Sequence, residues 1–156
     1  MFVLFDDVDT KARIWTFLAD RKLTVLEMDI IRDSSEAFIQ QWTSHQQEVK
    51  GSFTILFDAL WVIAADNDYA QVGGCSTDSL LRFVQDTQQR IGVNFFDRSK
   101  VLVKSSEEVI LSSITKLASI ENIENCTIFN PLVETKAALE ASLFTPFVDS
   151  RYAVMV

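Results

Sequence analysis

Six consecutive residues, Gly73-Gly74-Cys75-Ser76-Thr77-Asp78, place two glycines, a thiol, two hydroxyls and a carboxyl side by side. The apolar spacing after them predicts a helix capped by Ser76 or Thr77 and running to about Arg90. Leu80, Val84 and Ile91 form its buried face, and Gly92 is its stop. The first N–H groups of a helix are unpaired and carry partial positive charge. A thiol beside them is favoured as the more nucleophilic thiolate. The same groups can hold an oxyanion or a carboxylate, and a glycine doublet permits positive φ or a close backbone approach. Gly73, Gly74, Ser76, Thr77 and Asp78 are therefore candidate ligand-binding residues, and Cys75 is a candidate nucleophile. A cysteine nucleophile needs a base held by a third group. His45, the single histidine, and Asp66 complete a candidate catalytic set, with Asp68 and Asp78 as alternatives for the carboxylate. A plainer arrangement uses the same residues: a Gly-Gly turn, a serine cap, a cysteine filling the core and a histidine solvated in the polar run Thr43 to Glu48.

Other chemistries are excluded by spacing. One histidine and two distant cysteines do not make a structural zinc site. Asp66-Asn67-Asp68 begins like a calcium loop, but Gln71 stands where glycine is needed and Thr77 where glutamate is needed. No G-x-x-x-x-G-K-[ST] and no G-x-G-x-x-G occurs, and the chain has only 4 glycines. No metal and no cofactor is expected. Twenty-two acidic residues against 14 basic ones give a net charge of -8, which repels phosphate backbones. Most of the 12 Phe, 3 Trp and 2 Tyr are expected in the core rather than stacked on bases. The start, Met1-Phe2-Val3-Leu4-Phe5-Asp6-Asp7, lacks the positive region of a secretory signal. The apolar run Ala59 to Ala65 is far short of the roughly 20 residues of a membrane span. A cytoplasmic setting, with Cys75 and Cys126 reduced, is the expectation.

The elements that would position these residues are legible in part. Arg13 to Ala19 is apolar on both faces, as in a central strand. Thr24 with Glu27 matches a capping box and opens a helix over about Val25 to Thr43, with Leu26, Ile30, Ala37, Phe38, Gln41 and Trp42 at near-helical spacing. Ser52 to Phe57 alternates, and Leu60 to Ala65 is apolar throughout, so the two form a hairpin. A strand within Val93 to Val103, interrupted at Asp97-Arg98-Ser99, follows the Gly92 stop. Strand, helix, strand, strand, helix, strand is the split βαβ order. The expected fold is therefore α+β: a ferredoxin-like antiparallel sheet over residues 1–104 with helices on one face. Residues 105–156 form a C-terminal extension of the same domain. Its expected pieces are a helix at Ile114 to Ile120, a strand at Thr127 to Asn130 and a helix at Val133 to Ser142. The apolar end, Tyr152 to Val156, is expected to meet a sheet edge or a second copy of the chain.

Several strings, Arg13-Ile14-Trp15, Arg21-Lys22-Leu23, Trp42-Thr43-Ser44-His45, Ala65-Asp66, Gly74 to Ser79 and Ile128 to Val133, give a resemblance over most of the chain. It resembles a group of short bacterial proteins, mostly of the Bacteroidetes lineage, that carry the label "ABC transporter ATPase". That label implies association with a transporter, although the chain has no Walker A lysine. The resemblance transfers no functional residue. The function expected from the residues is non-catalytic binding of a small ligand or a protein. A thiol-dependent enzyme or redox protein using Cys75 with His45 is the alternative.

Overall fold

Leu60–Ala65 is apolar at each of its six positions, and all six side chains are buried. Such a strand must be covered on both faces. The computed structural model, which describes residues 1–67 and 71–156, supplies both covers. In chain order its elements are β1 (Arg13–Leu18), α1 (Val25–Gln41), β2 (Thr43–Ser44), β3 (Gln47–Glu48), β4 (Gly51–Leu56), β5 (Leu60–Ala65), α2 (Gly74–Ile91), β6 (Lys100–Lys104), β7 (Val109–Ser113), β8 (Thr127–Phe129), α3 (Lys136–Ser142) and β9 (Phe144–Pro146). Short 3-10 turns lie between them. The class is α+β.

β5 is the middle of a three-stranded antiparallel sheet in the order β1-β5-β4. Its register runs from Arg13↔Ala65 to Leu18↔Leu60 on one side and from Gly51↔Ala65 to Leu56↔Leu60 on the other. Phe17, Trp61 and Ile63 point to the face covered by α1 and α2, where they meet Ile31, Ile39, Leu80 and Val84. Ile14, Leu18, Leu60, Val62 and Ala64 point the other way, onto Leu102, Phe129, Val133 and Leu139. The second cover is a four-stranded sheet, β7-β6-β8-β9. Its far face carries a third core, with Val101, Val103 and Ile128 under Leu117, Ile123 and Tyr152. The layers are therefore helices, sheet, sheet and 3-10 turns.

Local chemistry sets the element ends. Thr24 Oγ1 accepts from the Glu27 N–H at 3.2 Å, and the Glu27 carboxylate accepts from the Thr24 N–H at 2.9 Å, so the capping box forms. Arg21 Nη2 lies 2.6 Å from the same carboxylate. That guanidinium bond, followed by the Thr24 hydrogen bonds, holds the Glu27 carboxyl at about 2 against burial. Gly92, at φ 71°, is the left-handed stop of α2. Gly51 is required by close approach: a Cβ there would lie 2.9 Å from the Ala64 carbonyl.

Three expectations need correction. The closing strand of a ferredoxin-like sheet does not lie beside β1, because β6 pairs with β7 and β8 instead. The cause is local. Asp97 Oδ1 accepts from the Ser99 N–H at 2.9 Å and from its Oγ at 2.6 Å, which turns the chain before Lys100 and leaves only Lys100–Lys104 as strand. On α1 the buried face is Met28, Ile31, Ser35 and Ile39, while Leu26 is exposed. The apolar end does not reach a sheet edge: Ala153–Met155 is a 3-10 turn with Val154 exposed. The chain's start is instead fixed by Lys136, which is buried. Its Nζ donates to the carbonyls of Phe5 (2.8 Å), Asp6 (3.4 Å) and Val8 (2.8 Å).

Candidate functional site

The Gly73–Asp78 segment sits at the start of α2, which begins three to four residues earlier than its sequence suggests. Gly73, not Ser76 or Thr77, is the N-cap, with extended φ of -90° and ψ of -174°. Gly92 is the one glycine with positive φ among the described residues, so the doublet is not a left-handed turn. Cys75 lies in the first helical turn and is exposed. The residues around it are tied to the β2–β3 hairpin. Ser44 Oγ donates to the Gln71 carbonyl at 2.6 Å and accepts from the Gly73 N–H at 3.2 Å. Buried Ser76 donates from Oγ to the Thr43 carbonyl at 2.8 Å. Trp42 Nε1 donates to the Ser76 carbonyl at 3.1 Å, and Thr77 Oγ1 to the Gly73 carbonyl at 3.1 Å.

The hairpin turn holds His45 at φ 51° and Gln46 at φ 67°. This brings the His45 ring over Gly73: a Cβ on Gly73 would lie 3.1 Å from Nε2. His45 and the glycine doublet are thus brought together by the fold. No hydrogen bond joins the His45 ring to the Cys75 thiol. Asp66 is buried at the end of β5, where its N–H donates to the Lys50 carbonyl at 2.8 Å and its carboxylate lies 4.0 Å from Lys50 Nζ. Asp78 is exposed on α2. Asp68 lies outside the described residues. Among the described residues no group of three or more His, Cys, Asp and Glu is placed to hold a metal ion. No helix among them is long and apolar enough to cross a membrane.

A second concavity is assembled from segments far apart in the chain. It is a groove of about 570 Å³ between the outer edge of β1 and the second sheet. Phe17, Phe95, Phe129 and Tyr152 line its interior. Phe96 and Leu132, exposed by 40% and 79%, stand at its mouth. Arg98, Lys100 and Arg151 bring three cations to it, against the single carboxylate of Asp97. Arg151 stacks on the Tyr152 ring with its guanidinium carbon 5.0 Å from the centroid, and Lys100 Nζ donates to Ser113 Oγ at 3.1 Å. The Arg98 side chain has no hydrogen-bond or ion-pair partner among the described residues. Nothing in the sequence announced this groove: each residue is unremarkable alone, and residues 96, 98, 132 and 151 converge only because the second sheet packs on the first.

No family model, no curated protein and no solved structure matches this chain. The geometry is therefore the ground for its function.

Proposed function

We propose that this chain is a non-catalytic binding domain whose guest carries a carboxylate beside an apolar body and sits in the groove along β1. The observation that carries this reading is a concentration of positive charge on an aromatic-lined hollow, in a chain whose net charge is -8. Cations converging along a groove raise the local concentration of an anion, and Arg98 and Arg151 stand exposed at this one. Binding pockets characteristically combine apolar walls with a few convergent polar groups. The start of α2 supports a guest less well, since Ser44 and Ser76 already hold the hairpin to the chain there and Thr77 is bonded to the Gly73 carbonyl.

The same reading takes up the fold. On this reading β1, α1, β4, β5 and α2 correspond to a ferredoxin-like unit short of its closing strand, a reading supported by the strand order β1-β5-β4, and the guest takes that strand's place. The test is a thermal melt with 3-phenylpropionate as the anionic probe and phenethylamine as its cationic counterpart. At ten times Kd the acid stabilises by about 1.4 kcal/mol, roughly 3–6 °C in Tm. The amine has no effect, and Arg98→Ala with Arg151→Ala removes the gain. Equal shifts from acid and amine, or a gain that survives the double variant, would reject the groove as an anion site.

A further inference from the structure

We infer that the guest of this groove is an extended acidic segment of a partner protein, which pairs with the open edge of β1 and completes the first sheet as its fourth strand. The inference rests on the proposed groove and adds the class and conformation of its occupant. Its basis is backbone direction. Along β1 the N–H groups of alternate residues point to opposite sides. The Ala19 N–H points to β5, donating to the Ala59 carbonyl at 2.8 Å. The Ile14 and Asp20 N–H groups point outward, donating to the Glu134 carbonyl at 2.9 Å and the Asn94 carbonyl at 3.0 Å. Thr16 and Leu18 share that outward parity, yet neither has a backbone or side-chain partner on its outer side among the described residues.

The edge is therefore paired at both ends and open between them. Between those occupied ends, Trp15 to Ala19 is about 13 Å of strand, room for three or four guest residues to pair while the rest of the guest runs on out of the groove. An unpaired strand edge is a template for another strand, and main-chain pairing with alternate side chains in pockets is a recurrent mode of peptide recognition. A second cavity of about 480 Å³ extends the groove toward Arg13 and shares Thr16, Phe17 and Pro131 with the first.

Charge selects the occupant. The two cavities together present Lys11, Arg13, Arg98, Lys100 and Arg151 against Asp97 and Glu134. A second copy of this chain paired edge to edge would set those cations against themselves. A strand alternating Asp or Glu with Val, Ile or Phe would instead place its acids at the cationic rim and its apolar side chains toward Phe96 and the interior.

The experiment titrates the ¹⁵N-labelled full chain with the blocked hexapeptide acetyl-Glu-Val-Glu-Val-Glu-Val-amide. Amide exchange at Thr16 and Leu18 is expected to slow at least tenfold at saturation. Affinity is expected to fall at least tenfold when every peptide amide is N-methylated, when Lys replaces Glu, or in Arg98→Glu with Arg151→Glu. Thr16→Pro removes one outward N–H without touching the β1–β5 ladder and is expected to weaken binding similarly. The N-methylated peptide keeps the test valid should that variant not fold. Arginine-dependent binding that tolerates N-methylation and leaves Thr16 and Leu18 exchanging freely would overturn strand pairing and leave the anion groove standing. Binding indifferent to Arg98 and Arg151 would overturn the groove, and the strand with it.

Discussion

The start of α2 and the groove beside β1 differ in what their polar groups are doing. The first draws on six contiguous residues and one hairpin, and its hydroxyls are engaged: Ser44 bridges Gln71 and Gly73, Ser76 reaches Thr43, and Thr77 reaches Gly73. The second draws on β1, the Phe95–Lys100 stretch, the Phe129–Leu132 stretch and Arg151–Tyr152. It leaves the outward amides of Thr16 and Leu18 and the Arg98 guanidinium open. A cluster of reactive residue types in sequence marks a place where the chain is being held. A cluster of unengaged groups in space marks a place where something else can be held.

The sharpest way to break that comparison is to remove a polar group that the fold uses fully. Lys136→Met strips the donors from three carbonyls in one stroke. Buried groups left unsatisfied cost heavily, so a loss of about 3–5 kcal/mol is expected in urea unfolding. A loss under about 1 kcal/mol would show that Lys136 does not anchor the chain's start. Next comes Ser44→Ala, which removes the two hydrogen bonds that Ser44 makes to Gln71 and Gly73 and leaves the Ser76–Thr43 bond in place. We expect about 1–2 kcal/mol, with faster amide exchange at Gly73. Unchanged exchange there would mean that Ser44 does not hold the segment entering the helix.

Glu27→Gln is expected to cost about 1 kcal/mol, because it weakens both the capping box and an ion pair whose arginine is half-exposed. The pH dependence has a defined sign. The Glu27 carboxyl is lowered in the folded chain from 4.5 to about 2. Its contribution is full above pH 4.5 and is lost as pH falls through about 2. The wild type should therefore lose more stability than Glu27→Gln on acidification from pH 5 to 2, which a set of urea melts across that range would measure. Smallest of all, Arg98→Ala and Leu132→Ala should change stability by no more than about 0.5 kcal/mol, since neither side chain is committed to the fold. A larger loss would place them among the structural residues.

The contrast also explains what the sequence made readable. The Thr24–Glu27 box, the Gly92 stop and the doubly apolar Leu60–Ala65 are local signals, and each marks an element that forms. The hairpin over residues 43–48 is polar, with left-handed His45 and Gln46 in place of the usual Asn-Gly, so no turn signature revealed it. β7 and β9 are short and take their stability from partners far along the chain. That β6 does not lie beside β1 follows from the Asp97–Ser99 turn, which looks like a brief interruption until its direction is known. Cys75, His45 and Asp66 were legible as residue types but not as a constellation. The groove was not legible at all, because its parts span more than 130 residues of chain.

One experiment sets the two regions directly against each other: amide shift mapping of the ¹⁵N-labelled chain during titration with 3-phenylpropionate. The account predicts that the shifting amides cluster at Thr16, Phe96, Arg98, Leu132 and Arg151, with the same map after Cys75 has been alkylated by iodoacetamide. Shifts confined to His45 and Gly73–Asp78, or abolished by that alkylation, would contradict it.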